Sequence, residues 1–118
     1  MDHILVVDNT KFHRNVIKLL LESLGHKVTV ACNGKEGLEY FSNPDRFALV
    51  ITDINMPIMD GIEFARAIRN SDSPETPIIA VTATFEDVGT ERDLFNSIVL
   101  KPFDLKSLKK IVSQHLRS

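Results

Sequence analysis

With 118 residues the chain has room for one compact domain, and residues 1–118 read as a single unit with no linker or low-complexity segment. A formal net charge of -2, with 43% hydrophobic and 25% charged residues, gives no electrostatic basis for binding nucleic acid or a membrane surface. The single cysteine, Cys32, rules out an internal disulfide and fits a reducing, cytoplasmic setting; the apolar runs are too short to span a bilayer, and Asp2 followed by a strand pattern does not read as a signal peptide.

Short β-like runs alternate with longer helical patterns, as in βα units around a parallel sheet. Ile4 to Val7 is a fully apolar first strand, the composition of a strand covered on both faces. Asn9 or Thr10 is placed to cap the next helix, whose apolar stripe is Val16, Ile17, Leu20 and Leu24 and which stops at Gly25. Val28 and Val30 mark the second strand; Asn33-Gly34 opens a helix through Leu38 and Phe41 that ends before an Asn43-Pro44-Asp45 turn. Phe47 to Thr52 is the third strand, with Asp53 at its C-terminal end. Asp60-Gly61 starts a helix carrying Phe64, Ala65 and Ile68, and Pro74 and Pro77 frame the loop before strand Ile78 to Val81. Between Glu86 and Phe95, Gly89 and Thr90 weaken any helix, so a short or frayed one is expected. Ile98 to Leu100 is the fifth strand. Asp104 caps a last helix buried through Leu105, Leu108, Ile111 and Val112.

In an open parallel sheet, ligands bind outside the C-terminal strand edges, where strand order reverses. Asp8, Asp53, Thr82 and Lys101 each follow an apolar strand interior and stand at such an edge. One of these alone reads equally well as a helix cap or surface charge; four in series do not. Two close carboxylates repel, which raises the pKa of one or recruits a cation, and oxygen-only ligands select a hard ion. The site therefore suits a phosphoryl group carried with Mg²⁺. His3, His13, His26 and His115 show no ligand spacing to a cysteine or carboxylate and read as surface residues, and Met56, Pro57 and Met59 read as loop packing.

Over essentially its whole length the chain resembles the receiver domain of bacterial response regulators. The likeness is carried by Ile4-Leu5-Val6-Val7-Asp8-Asn9, by the run from Asp53 through Met56-Pro57 to Asp60-Gly61, by Ile78-Ile79-Ala80-Val81-Thr82-Ala83, and by Leu100-Lys101-Pro102-Phe103. It implies a doubly wound five-stranded parallel sheet of flavodoxin-like order 2-1-3-4-5. It also implies transfer of a phosphoryl group to Asp53 from a histidine kinase or histidine phosphotransfer protein, forming an acyl phosphate that switches an interaction surface for an unknown downstream protein. In that reading Asp8, Asn9, Asp53 and the backbone carbonyl of Asn55 hold Mg²⁺. Lys101 opposes the developing charge, Thr82 swings its hydroxyl onto a phosphoryl oxygen, and Lys101-Pro102 is a cis peptide. Such a domain is a signalling switch that promotes its own phosphorylation and dephosphorylation, not an enzyme acting on a separate substrate. On the first helix, Phe12 and Leu19 are left for a stripe that docks the kinase.

Three features depart from the family pattern. Asn9 stands where a second acidic residue is usual, Ile98 where an aromatic often reports the state of the switch threonine, and the stretch from Thr82 to Lys101 is roughly two or three residues short. They leave open a phosphorylation-independent interaction module as the alternative. A haloacid-dehalogenase-like phosphatase needs a second Asp where this chain has Asn55, and a flavodoxin needs a phosphate loop where Asp8 would repel the ligand.

Overall fold

The computed structural model describes residues 2–42 and 47–116. Strands β1 (His3–Val7), β2 (Lys27–Ala31), β3 (Leu49–Asp53), β4 (Ile78–Thr82) and β5 (Ser97–Leu100) alternate with helices α1 (Lys11–Ser23), α2 (Gly34–Phe41) and α3 (Gly61–Arg69), and α4 (Leu105–Leu116) follows β5. All strand pairs are parallel and the order is β2-β1-β3-β4-β5, the flavodoxin-like arrangement expected. The turn read at Asn43-Pro44-Asp45 lies outside the described residues.

The apolar strands make sense once both faces are seen to be covered. Leu5 and Val7 point into a core shared with Phe64, Ala65 and Ile68 of α3 and with Leu38 and Phe41 of α2. Ile4 and Val6 point the other way, against Ile17 and Leu21 of α1 and Leu108 and Val112 of α4. Strand order reverses between β1 and β3, and a crevice at their C-terminal ends is the geometric consequence.

Local chemistry ends the elements largely where the sequence indicates. Asn33 caps α2 by accepting from Glu36 N at 2.9 Å, and Asp60 with Glu63 forms a reciprocal capping box on α3. Gly25, at φ 89, ends α1. Thr10 is the N-cap of α1 but makes no side-chain cap bond; its N–H donates to Asp8 Oδ1 at 2.8 Å. In α1 the buried pair is Ile17 and Leu21, whereas Val16, Leu20 and Leu24 sit on its flank; a choice among adjacent leucines depends on how the helix is rotated on the sheet. In α4, Leu108 and Val112 are buried but Leu105, its first residue, is exposed.

The link from β4 to β5 contains no α-helix. Two single 3-10 turns, Phe85–Asp87 and Arg92–Leu94, replace it, separated by Gly89 at φ 60. Val88 and Phe95 fill the core beneath, and the Arg69 guanidinium fixes the loop from below. It donates to the carbonyls of Leu94, Pro74 and Thr76 and to Asn96 Oδ1, at 2.7–3.1 Å. The planar five-donor fork of arginine suits acceptors contributed by two loops, Pro74 and Thr76 before β4 and Leu94 and Asn96 before β5.

Candidate functional site

The crevice between β1 and β3 is built from strand ends. Asp8 follows β1, Asp53 is the last residue of β3, and Lys101 follows β5 across the cis Lys101-Pro102 peptide. Asp8 is 1% exposed and Asp53 8%, so each carboxylate depends on protein partners. Backbone N–H groups take one oxygen of each: Ile54 N donates to Asp53 Oδ1 at 2.7 Å and Thr10 N to Asp8 Oδ1 at 2.8 Å. The second oxygens converge on one ammonium. Lys101 Nζ lies 3.1 Å from Asp53 Oδ2 and 3.2 Å from Asp8 Oδ2.

Burial raises the Asp53 carboxyl above its ordinary value; Lys101 opposes the shift and Asp8 adds to it. Two carboxylates and one ammonium leave a net negative charge in the crevice. The available donors, two carboxylates and backbone carbonyls at the strand ends, are all hard oxygens, so the pocket fits a small divalent cation such as Mg²⁺ that keeps several waters. Among the described residues no cluster of three or more His, Cys, Asp or Glu side chains forms a protein-only metal cage.

The loop after Asp53 is shaped by close backbone packing. Gly61 N donates to Ile54 O at 2.8 Å, and a Cβ on Gly61 would stand 2.1 Å from the carbonyl oxygen of Asp53. Met59 N donates to Pro57 O at 2.8 Å across Ile58, whose φ of 74 makes a γ-turn that a β-branched residue rarely adopts. Met56 and Met59 pack against the core, in keeping with their reading as loop residues.

Of the residues singled out from the sequence, Asp8, Asp53 and Lys101 come together. Asn9 and Asn55 are exposed at the rim, next in line to Asp8 and two residues beyond Asp53. Thr82 is fully buried at the end of β4, its carbonyl accepting from Lys101 N at 2.8 Å, but its hydroxyl donates to Asp87 Oδ2 at 3.2 Å. Two residues were missed. His13 Nδ1 lies 3.2 Å from Lys101 Nζ and 3.9 Å from Asp8 Oδ2, so this histidine borders the pocket, contrary to the surface reading. Its position in the first turn of the helix that follows Asp8 was the available signal. Two of the other histidines are hydrogen-bonded, His3 to Thr29 at 2.7 Å and His115 to Ser97 at 2.7 Å, whereas His26 Nδ1 is buried 4.0 Å from Asp2 without a hydrogen bond among the described residues. Asp87 was hidden in the stretch read as a frayed helix; Thr84, which caps that turn by accepting from Asp87 N, was its only local sign.

Residues 4–113 match the response regulator receiver domain. The chain belongs to that family. This receiver is 36% identical over 118 residues to the uncharacterized transcriptional regulatory protein YkoG of Bacillus subtilis, covering 98% of this chain and 51% of that protein. It is likewise 36% identical over 114 residues to the sensor protein EvgS of Escherichia coli, covering 94% of this chain and 9% of that protein. The receiver thus spans about half of one curated relative and a small part of another. Among solved structures, the response regulator TrrA of Thermotoga maritima, determined in complex with Mg²⁺ and BeF, superposes with a TM-score of 0.89 at 34% identity, covering 98% of this chain and 100% of that one. Among the described residues no helix of the receiver is long and apolar enough to cross a membrane.

Proposed function

We propose that Asp53 is the phosphoacceptor of a two-component phosphorelay, taking its phosphoryl group from a phosphohistidine of a histidine kinase or histidine phosphotransfer protein. The observation that carries this reading is the Asp53 carboxylate at the strand-order reversal, held 3.1 Å from Lys101 Nζ, with Asp8 on the other side of the same ammonium. An Asp53 oxygen attacks phosphorus, the P–N bond to the donor imidazole breaks, and the electron pair returns to that nitrogen, leaving an acyl phosphate on Asp53. Burial makes Asp53 more basic than a surface carboxylate, which strengthens it as a nucleophile. Lys101 follows the charge from the carboxylates onto the transferring oxygens, and Thr82, at the end of β4 next to β3, would donate its hydroxyl there. Asp8, Asp53, the Asn55 carbonyl and the Asn9 amide would hold Mg²⁺, which supplies charge neutralisation for the phosphoryl oxygens when bound. TrrA, a relative, was solved with Mg²⁺ and BeF, which supports that ligand class. Attack of water on the acyl phosphate returns the switch to rest.

The donor meets an exposed stripe on α1. Phe12 is 71% and Leu19 67% exposed, and Phe12, His13 and Val16 line an apolar groove of about 220 Å³ with Lys101, Phe103 and Leu105. A free, exposed Cys32 is compatible with a reducing cytoplasm. The joint presence of Asp8 and Asp53 around the Lys101 ammonium supports this reading over a phosphorylation-independent module. Labelling with acetyl phosphate and Mg²⁺ tests the reading: wild type should gain a hydroxylamine-sensitive phosphate and Asp53→Asn should not. Undiminished labelling of the variant would overturn it.

A further inference from the structure

We propose that Asp87 is a positioning residue for the switch: it holds the Thr82 hydroxyl away from the pocket, and transfer of that hydroxyl to a phosphoryl group on Asp53 releases the Phe85–Asp87 turn. The proposal rests on Asp53 being the phosphoacceptor. Thr82 Oγ1 donates to Asp87 Oδ2 at 3.2 Å, and a threonine hydroxyl has one proton to give. An ionised carboxylate and a phosphoryl oxygen are both acceptors, so the two partners exclude each other.

What the exchange would release is defined by the contacts that remain. Asp87 N reaches both Thr84 Oγ1 and Thr84 O at 3.3 Å, beyond the usual N–H···O range, so once Thr82 leaves, the turn is held chiefly from its far side, where Val88 N donates to Phe85 O at 3.1 Å and Gly89 N to Glu86 O at 3.0 Å. Phe85 on this turn is 45% exposed, and the Arg92 guanidinium lies 5.1 Å from its ring centroid, which joins the first 3-10 turn to the second. Arg66 on α3 pairs with Glu91 at 3.0 Å next to Arg92, and Val88 stays anchored in the core. Movement is thereby confined to Thr84–Asp87 and the Phe85–Arg92 pair. The device also accounts for Ile98, since a route through Asp87 needs no aromatic ring on β5 to read the position of Thr82.

A double-mutant cycle on the whole chain decides it, using Mg²⁺ with beryllofluoride as the phosphoryl mimic and calorimetric titration as the readout. If the latched state competes with binding, apparent affinity is the intrinsic affinity multiplied by the fraction not latched. Asp87→Ala should therefore bind about three- to tenfold more tightly than wild type, the range expected for one hydrogen bond. In the Thr82→Val background the same substitution should change nothing. The Thr82 methyl resonance of metal-free Asp87→Ala should also move toward its position in beryllofluoride-bound wild type. Unchanged affinity in Asp87→Ala, or an equal gain in the Thr82→Val background, overturns the latch while leaving the phosphoacceptor reading intact. Failure of wild type to bind the mimic overturns both. If Asp87→Ala does not fold, Asp87→Asn, a weaker acceptor of the same shape, carries the same cycle with the same direction of effect.

Discussion

Lys101→Met removes the ammonium from between two buried carboxylates while keeping an unbranched apolar stem. At an effective dielectric of about 20, contacts at 3.1 and 3.2 Å each represent roughly 5 kcal/mol of gross attraction, most of it offset by desolvation. Breaking a buried pair by deleting one partner costs about 3–5 kcal/mol, because the remaining charge stays buried without compensation. For a domain of this size that is a fall in Tm on the order of 10 °C or more at neutral pH. The deficit should depend on pH. Burial and Asp8 raise the Asp53 carboxyl while Lys101 lowers it, so the variant raises it further. A carboxyl with a raised folded-state pKa contributes stability that is fully present below its unfolded value and is lost as pH rises through the folded value. The variant should therefore lie nearest wild type in acid, at or below the ordinary carboxyl value of 3.8, and fall behind progressively as pH rises past it. Mg²⁺ should recover part of the neutral-pH loss by binding the folded pocket. Thermal melts of both proteins from acid to neutral pH, with and without Mg²⁺, measure this. A deficit of constant size across that range would show that Lys101 acts through packing, and the electrostatic account would fail.

Asn9→Asp should lower the Mg²⁺ concentration that half-saturates phosphorylation and should lower the metal-free Tm. A unit charge about 4 Å from a divalent ion carries on the order of 8 kcal/mol of gross attraction at an effective dielectric of about 20, mostly offset by dehydration; a Mg²⁺ titration with no tighter binding would place Asn9 away from the ion. Gly61→Ala puts a Cβ 2.1 Å from the Asp53 carbonyl oxygen and should destabilise the fold by about 3 kcal/mol or more in urea melts, with loss of the pocket; a cost under about 1 kcal/mol would mean the start of α3 shifts freely.

The strands and four of the pocket residues were legible because local rules specify them, whereas the strand order followed from the family resemblance. A continuous apolar run bounded by a polar residue reports a strand covered on both faces, and alternation with helical periods reports parallel crossovers, so Asp8, Asp53, Thr82 and Lys101 fall at one sheet edge on pattern alone. The cap at Asp60 and the stop at Gly25 follow from local backbone chemistry in the same way.

Tertiary structure decided whatever depends on rotation, approach or a partner far along the chain. Leu21 in place of Leu20 and Leu24 reflects how α1 is turned on the sheet, and the period tolerates either set. Gly61 reads as an ordinary residue at a helix start, yet its lack of a Cβ is demanded by the Asp53 carbonyl. Arg69, in the last turn of α3, fixes the loop that stands in place of a helix, 25 residues away at Leu94, a contact that no local pattern marks. His13 meets Lys101 across 88 residues of chain. Asp87 is only five residues from Thr82, but the path between them is a 3-10 turn whose direction hydrophobic patterning does not encode. Burial patterns constrain one face at a time, whereas the polar contacts that tune this pocket depend on where several independently placed strand ends and loops converge.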